Sequence, residues 1–227
     1  MKGSEYCSLL AVKQPGGWTL VRPLLGQGEH LNYQRVGKSE QDVRERWIPG
    51  RLIDFTFAAW WDVKHRPRLT HPEDRLVDIN RLSILRDIAS PTVLQEARNA
   101  FMLPSLRAAL PNIGRFGNDN GFMEVPEGGE KFARSNAFFR AYNVIIKRDD
   151  FGVWRVKFTL TPPNEKQEEW WIMPLKDCYA LETLNVPGEW IRKIGETTIC
   201  VGLAHPWNPD KWPHARCACM VNYIDLR

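Results

Sequence analysis

The sequence predicts a mainly β protein, two small β-barrels in tandem with a helical connector between them. Two observations carry this. Short runs of alternating apolar and polar residues recur in both halves, bounded by Gly, Pro, Asn or Asp, as half-buried antiparallel strands require. Between them Leu82, Leu85 and Ile88 recur at helical spacing and lead into residues 93–101, so one helical segment separates two sets of strands instead of alternating with them. A composition of 43% hydrophobic and 26% charged residues, with no low-complexity tract, provides for a packed core.

The elements follow in order. Residues 6–13 and 18–22 read as a hairpin around Gln14-Pro15-Gly16-Gly17, the second strand stopped by Pro23. Residues 26–49 are polar and read as a long loop with one helical turn. In residues 51–61, Ile53, Phe55 and Phe57 alternate with Asp54 and Thr56, which marks a strand with one greasy face. Residues 80–111 form the connector, with Ser90-Pro91 as N-cap and first-turn pair. The Gly- and Asn-rich residues 112–131 read as a loop. Lacking a Lys-Ser/Thr ending and a preceding apolar strand, they do not make a phosphate-binding loop.

The second half reads as strands at 137–147, 153–160 and 168–174, the first two joined by the turn Arg148-Asp149-Asp150-Phe151-Gly152. On the return strand Trp154, Val156, Phe158 and Leu160 face one way and Arg155, Lys157 and Thr159 the other. Residues 197–204 and 216–224 form a closing hairpin across a proline-rich loop. The expected division is therefore 1–79, 80–111 and 112–227.

No apolar run approaches the ~20 residues of a membrane span, and no apolar stretch follows Met1 and Lys2 as a secretory leader would need. The expectation is a cytoplasmic protein whose five cysteines are reduced. A net charge of +4 permits contact with a polyanion without demanding it. The ten tryptophans suit cores, ligand pockets and base-stacking surfaces alike.

Taken in order, several landmarks resemble the dual OB-fold-containing domain family. Trp18-Thr19-Leu20-Val21-Arg22-Pro23 looks like its W-x-R-P strand, and Leu52-Ile53-Asp54-Phe55-Thr56-Phe57 like its next strand. His71-Pro72-Glu73-Asp74 is similar to its Pro-Glu-Asn/Asp step, and residues 146–157 resemble its second-half hairpin. Residues 198–202, Pro206 and Arg216-Cys217-Ala218-Cys219-Met220-Val221 are similar to its closing pair. The resemblance implies two OB-like barrels and, by fold analogy, binding of nucleic acid or a nucleotide-type ligand. It further implies an accessory or sensor subunit in a mobile-element or defence setting.

Such binding needs cations for phosphates and aromatic faces for bases. The first half offers Arg22, Trp60, Trp61, Lys64, Arg66 and Arg68, and the second Arg140, Lys147, Arg148, Arg155 and Lys157. Each is equally a residue that keeps a surface soluble. Trp207 and Trp212, in a proline-rich loop, are candidates for anchoring a protein partner, which is the alternative reading. His205, His214, Cys217 and Cys219 raise zinc, but their spacing does not fit the common fingers, and two cysteines one residue apart on a strand are also how small core residues are placed. No nucleophile elbow, His-Glu-x-x-His helix or dinucleotide fingerprint is present, and Glu73 and Asp74 read as capping acids of a turn. An OB-like enzyme of unknown chemistry is the third reading, and no catalytic residue, metal or cofactor is assigned.

Overall fold

The computed structural model describes residues 5–6, 9–25, 29–32, 48–57, 72–116, 120–125, 132–163, 165, 169–184, 191–204 and 215–226. The chain is mainly β and divides into two compact units, Met1–Phe101 and Met102–Arg227. Among the described residues no helix is long and apolar enough to cross a membrane.

The first unit holds β1 (Glu5–Tyr6), β2 (Leu10–Gln14), β3 (Gly17–Leu25), β4 (Glu29–Asn32), β5 (Arg51–Asp54), β6 (Asp74–Leu76), a 3-10 turn (Ile79–Arg81), β7 (Ser83–Ile88) and α1 (Pro91–Phe101). The first hairpin forms as read: β2 pairs antiparallel with β3 from Leu10↔Val21 to Gln14↔Gly17, and Gly17 closes the turn at φ 124°, where a side chain would be strained. β3 does not stop at Pro23. It continues to Leu25, pairing with β6 in parallel and with β4 antiparallel. The bonds to the β6 side are made by the Arg22 amide, which donates to Glu73 O, and by Leu24 O, which accepts from Val77 N. Pro23 lies between them, so its missing N–H is not one that this parallel ladder uses.

β5 and β7 form a separate antiparallel ribbon. Along β5 and just beyond it, Ile53 and Phe55 are half-buried while Asp54 and Thr56 are exposed, so the alternation read from the sequence holds to Phe55. Phe57 is exposed and meets Phe55 edge to face. The expected helical connector is corrected in part. Residues 83–88 are a strand because they complete this ribbon, and tertiary pairing overrides a short helical spacing. The helix begins where the cap was read, with Ser90 Oγ accepting from Val93 N at 3.3 Å.

The second unit contains α2 (Leu106–Ala109), β8 (Gly114–Phe116), β9 (Asn120–Glu124), β10 (Asn136–Arg148), β11 (Trp154–Thr159), β12 (Trp170–Pro174), α3 (Cys178–Leu184), β13 (Ile191–Leu203) and β14 (Arg216–Ile224). Its strands form one antiparallel sheet in the order β12-β11-β10-β13-β14-β9-β8, curled into a half-barrel. The inner face carries the main core, including Phe139, Val144, Ile146, Val156, Phe158, Trp171, Met173, Ile199 and Val221, closed by Leu106 and Ala109 of α2 and by Ala180 and Leu184 of α3. Each such large side chain contributes about 1.5–3 kcal/mol by leaving water.

The Gly- and Asn-rich segment read as a loop contains the edge hairpin β8–β9, which pairs with β14. Its glycines permit close packing: a Cβ on Gly114 would lie 2.7 Å from the Phe122 ring, and one on Gly121 would lie 3.2 Å from Cys219 Sγ. Gly202 in β13 is tighter still, because a Cβ there would fall 1.9 Å from Asn222 Nδ2, which donates to Asn136 Oδ1. Gly202→Ala is therefore expected to break the Asn222–Asn136 bond and destabilise the fold by about 1–3 kcal/mol, read as a lower urea midpoint with an unchanged slope.

Candidate nucleic-acid interface

The side chains on the back of the half-barrel sheet follow from register. In β10, Ala137, Phe139, Ala141, Val144 and Ile146 enter the core, which leaves Arg140, Tyr142, Ile145 and Lys147 on the outer face. The change from odd to even core positions falls at Asn143, whose φ is 51°, and the register with β11 shifts between Tyr142 and Ile145. This bulge re-aims the end of the strand and puts Lys147 outside.

Cross-strand partners share a face. Lys147 lies opposite Arg155, and Ile145 lies opposite Lys157 on one side and Lys193 on the other. Lys157 and Lys193 thus flank Ile145 across two strand spacings, about 10 Å. The row continues through Ile172, the β12 partner of Lys157, and Trp170 lies opposite Thr159. The Lys157 ammonium sits over the Trp170 ring, 4.7 Å from its centroid. Four cations therefore share the outer surface of β11, β10 and β13 with Ile145, and Trp170 of the neighbouring β12 lies beside them.

Their electrostatics differ. Arg155 Nε donates to Asp149 Oδ2 at 2.8 Å, and that bond, with backbone donors Val153 and Phe151, holds the Asp149 carboxyl below the usual carboxylate range in spite of some desolvation. Arg140 is exposed and paired with Glu196 at 3.2 Å. Lys147, Lys157 and Lys193 have no ion pair among the described residues. Lys147 directly opposite Arg155 is a like-charge pair that weakens a sheet in isolation, and Asp149 offsets it by engaging the arginine.

Beside this face, residues 102–104, Arg140, Tyr142 and residues 160–162 with Glu165 line an open cleft of about 520 Å³. That is within the size of small-ligand sites.

The candidates read from sequence separate clearly. Lys147, Arg155 and Lys157 come together; Arg140 shares their face but is held by Glu196. Arg148 is corrected: it points to the other side, its guanidinium 4.9 Å from the centroid of the Trp154 ring that lines the core. Arg22 is corrected as well. It is 5% exposed and forms a two-pronged ion pair with Asp74, which is 1% exposed, so it is not available to a ligand's phosphates. Asp74 is accordingly an arginine's partner in a strand and not a capping acid. Trp60, Trp61, Lys64, Arg66, Arg68, Trp207 and Trp212 lie outside the described residues, as do His205 and His214.

Cys217 and Cys219 are buried on one face of β14, and burial together with the neighbouring Cys217 pushes the Cys219 thiol up to about 12. Sequence reasoning missed Lys193, because the closing hairpin was read as starting at residue 197, whereas β13 begins at Ile191. Ile191-Arg192-Lys193-Ile194 does not alternate between apolar and polar residues, so this stretch carried no strand signal of its own.

No protein-family model matches the chain, and neither a curated protein nor a solved structure does.

Two outcomes are expected of this geometry. Arg22→Ala should destabilise the fold by about 3–5 kcal/mol, by stranding a buried carboxylate, and the double change to Arg22→Met and Asp74→Leu should recover most of it in urea denaturation. The Asp149 bonds are fully present above the ordinary aspartate value of 3.8 and are lost only as pH falls through the lower folded value. The Phe151 and Val153 amide shifts should thus titrate with a midpoint below 3.8, and Arg155→Ala should move that midpoint upward.

Proposed function

We propose that this protein binds nucleic acid on the outer face of its second-unit sheet, as a binding module and not through catalysis. The observation that carries the reading is the cluster of Lys147, Arg155, Lys157 and Lys193 on neighbouring strands, with Ile145 among them and Trp170 beside them. Lys147, Lys157 and Lys193 have no ion pair among the described residues, and the aromatic and aliphatic groups beside them give base faces something to lie on. A curved antiparallel sheet with a basic, partly aromatic outer surface also supports the OB-like reading of the fold, although OB domains share ligand classes only by analogy. An accessory or sensor role is the one that the family resemblance implies, and it suits a surface of cations and aromatics.

The test is fluorescence anisotropy with labelled single-stranded DNA, single-stranded RNA and duplex at two salt concentrations. Wild-type binding should weaken steeply with salt. The triple change Lys147→Glu, Lys157→Glu and Lys193→Glu should lower affinity at least roughly 100-fold by removing three phosphate contacts and adding repulsion, with the urea midpoint little changed. Wild-type levels of binding by this variant would remove the face from consideration.

A further inference from the structure

The hairpin that joins β10 to β11 ends in the most exposed large apolar side chain among the described residues: Phe151 is 91% exposed. The turn beneath it is tightly held. Asp149 Oδ1 accepts from the Phe151 amide at 3.0 Å and from the Val153 amide at 2.8 Å. The Gly152 amide donates to Asp149 O at 2.9 Å, the Asp149 amide donates to Val153 O at 2.9 Å, and Gly152 takes φ 76°. The backbone of Phe151 is therefore fixed while its ring packs on little of its own unit. The ring therefore contributes little to the stability of the fold.

What surrounds the ring points to its occupant. Lys147 and Arg155, opposite each other, stand at the base of the same hairpin, and Ile191, the β13 partner of Lys147, is 53% exposed. The track of cations thus runs up to the tip. At the tip itself Asp149 is neutralised by Arg155, and exposed Asp150 leaves a negative charge beside the ring. That charge repels a phosphate or an anionic lipid surface from the tip, so the ring meets an uncharged group while the neighbouring cations meet the backbone. In a duplex both faces of each internal base are already stacked. Only an unpaired base offers a free π-face to a ring held in this position.

We propose that Phe151 is a base-stacking residue, and that the ligand of this face is single-stranded nucleic acid whose unpaired base lies on the hairpin tip beyond the cation track. This inference rests on the nucleic-acid reading above and specifies the strandedness it requires.

The experiment compares a labelled oligothymidylate with an abasic strand of the same length and charge, and with a duplex, by anisotropy at one salt concentration. The proteins are wild type, Phe151→Ala, Phe151→Trp and the triple lysine reversal. Phe151→Ala should bind oligothymidylate roughly 5- to 150-fold more weakly, the range of one lost base–aromatic stack. It should bind the abasic strand as wild type does, and Phe151→Trp should restore affinity for oligothymidylate. The urea midpoint of Phe151→Ala should match wild type, since the ring is solvent-exposed. Unchanged oligothymidylate binding by Phe151→Ala, alongside loss in the lysine reversal, would overturn the stacking role and leave the basic face standing. Equal loss on thymidylate and abasic strands, or tighter wild-type binding to duplex, would also overturn it. Wild-type protein that binds none of the probes would remove both readings together.

Discussion

The pairing of β10 with β13 is the constraint on which the second unit depends. The two strands run antiparallel in unbroken register from Asn136↔Gly202 to Lys147↔Ile191, and every other strand of the sheet is added to one edge of this pair or the other. Its inner side supplies Phe139, Ala141, Val144, Ile146, Ile199 and Val201 to the core. Its outer side supplies Lys147, Ile145 and Lys193 to the basic face. Core and candidate site are thus two sides of one ladder, so the geometry of the cations is fixed by hydrophobic packing behind them and not by contacts of their own. A surface built this way keeps its spacing when the long lysine side chains themselves are mobile.

One irregularity decides what that ladder presents. A strict alternation that puts Ala137, Phe139 and Ala141 inside would also put Lys147 inside, because all four positions are odd. The left-handed residue Asn143 and the shift against β11 reset the alternation, so Val144 and Ile146 become core residues and Lys147 turns outward. Asn tolerates this conformation better than most residues with a side chain. The bulge therefore serves the core, which would otherwise receive a lysine, and the surface, which gains a cation opposite Arg155.

Burial separates arginines that the sequence presents as equals. Arg22 and Arg155 each form a bidentate or single charge-assisted bond with an aspartate, yet Arg22 and Asp74 are enclosed while Arg155 keeps over a quarter of its side chain in solvent. An enclosed pair stabilises chiefly against the removal of one partner. An exposed one stabilises little, and here its main effect is to hold the turn that carries Phe151. The Arg148 side chain, one residue along from Lys147, falls on the opposite face and covers Trp154. Neighbours in sequence thus have unrelated roles because strands alternate.

The sequence by itself determined the mainly β class, the first hairpin, the strands at 137–147, 153–160 and 168–174, the N-cap at Ser90, and the division of β11 into a core side of Trp154, Val156 and Phe158 and a cationic side of Arg155 and Lys157. These are properties of period and turn chemistry within a few residues, where alternation and capping act. Thr159, read with the cations, is instead buried, since neighbouring β10 and β12 cover it. Only the tertiary structure decided that Arg22 meets Asp74, 52 positions away, that Lys193 joins the basic row, and that the glycine-rich segment becomes an edge hairpin against β14. Those outcomes depend on which strands pair and on which side chains approach from distant parts of the chain. Local periodicity carries no information about either, because a lone strand alternates in the same way whatever lies beside it.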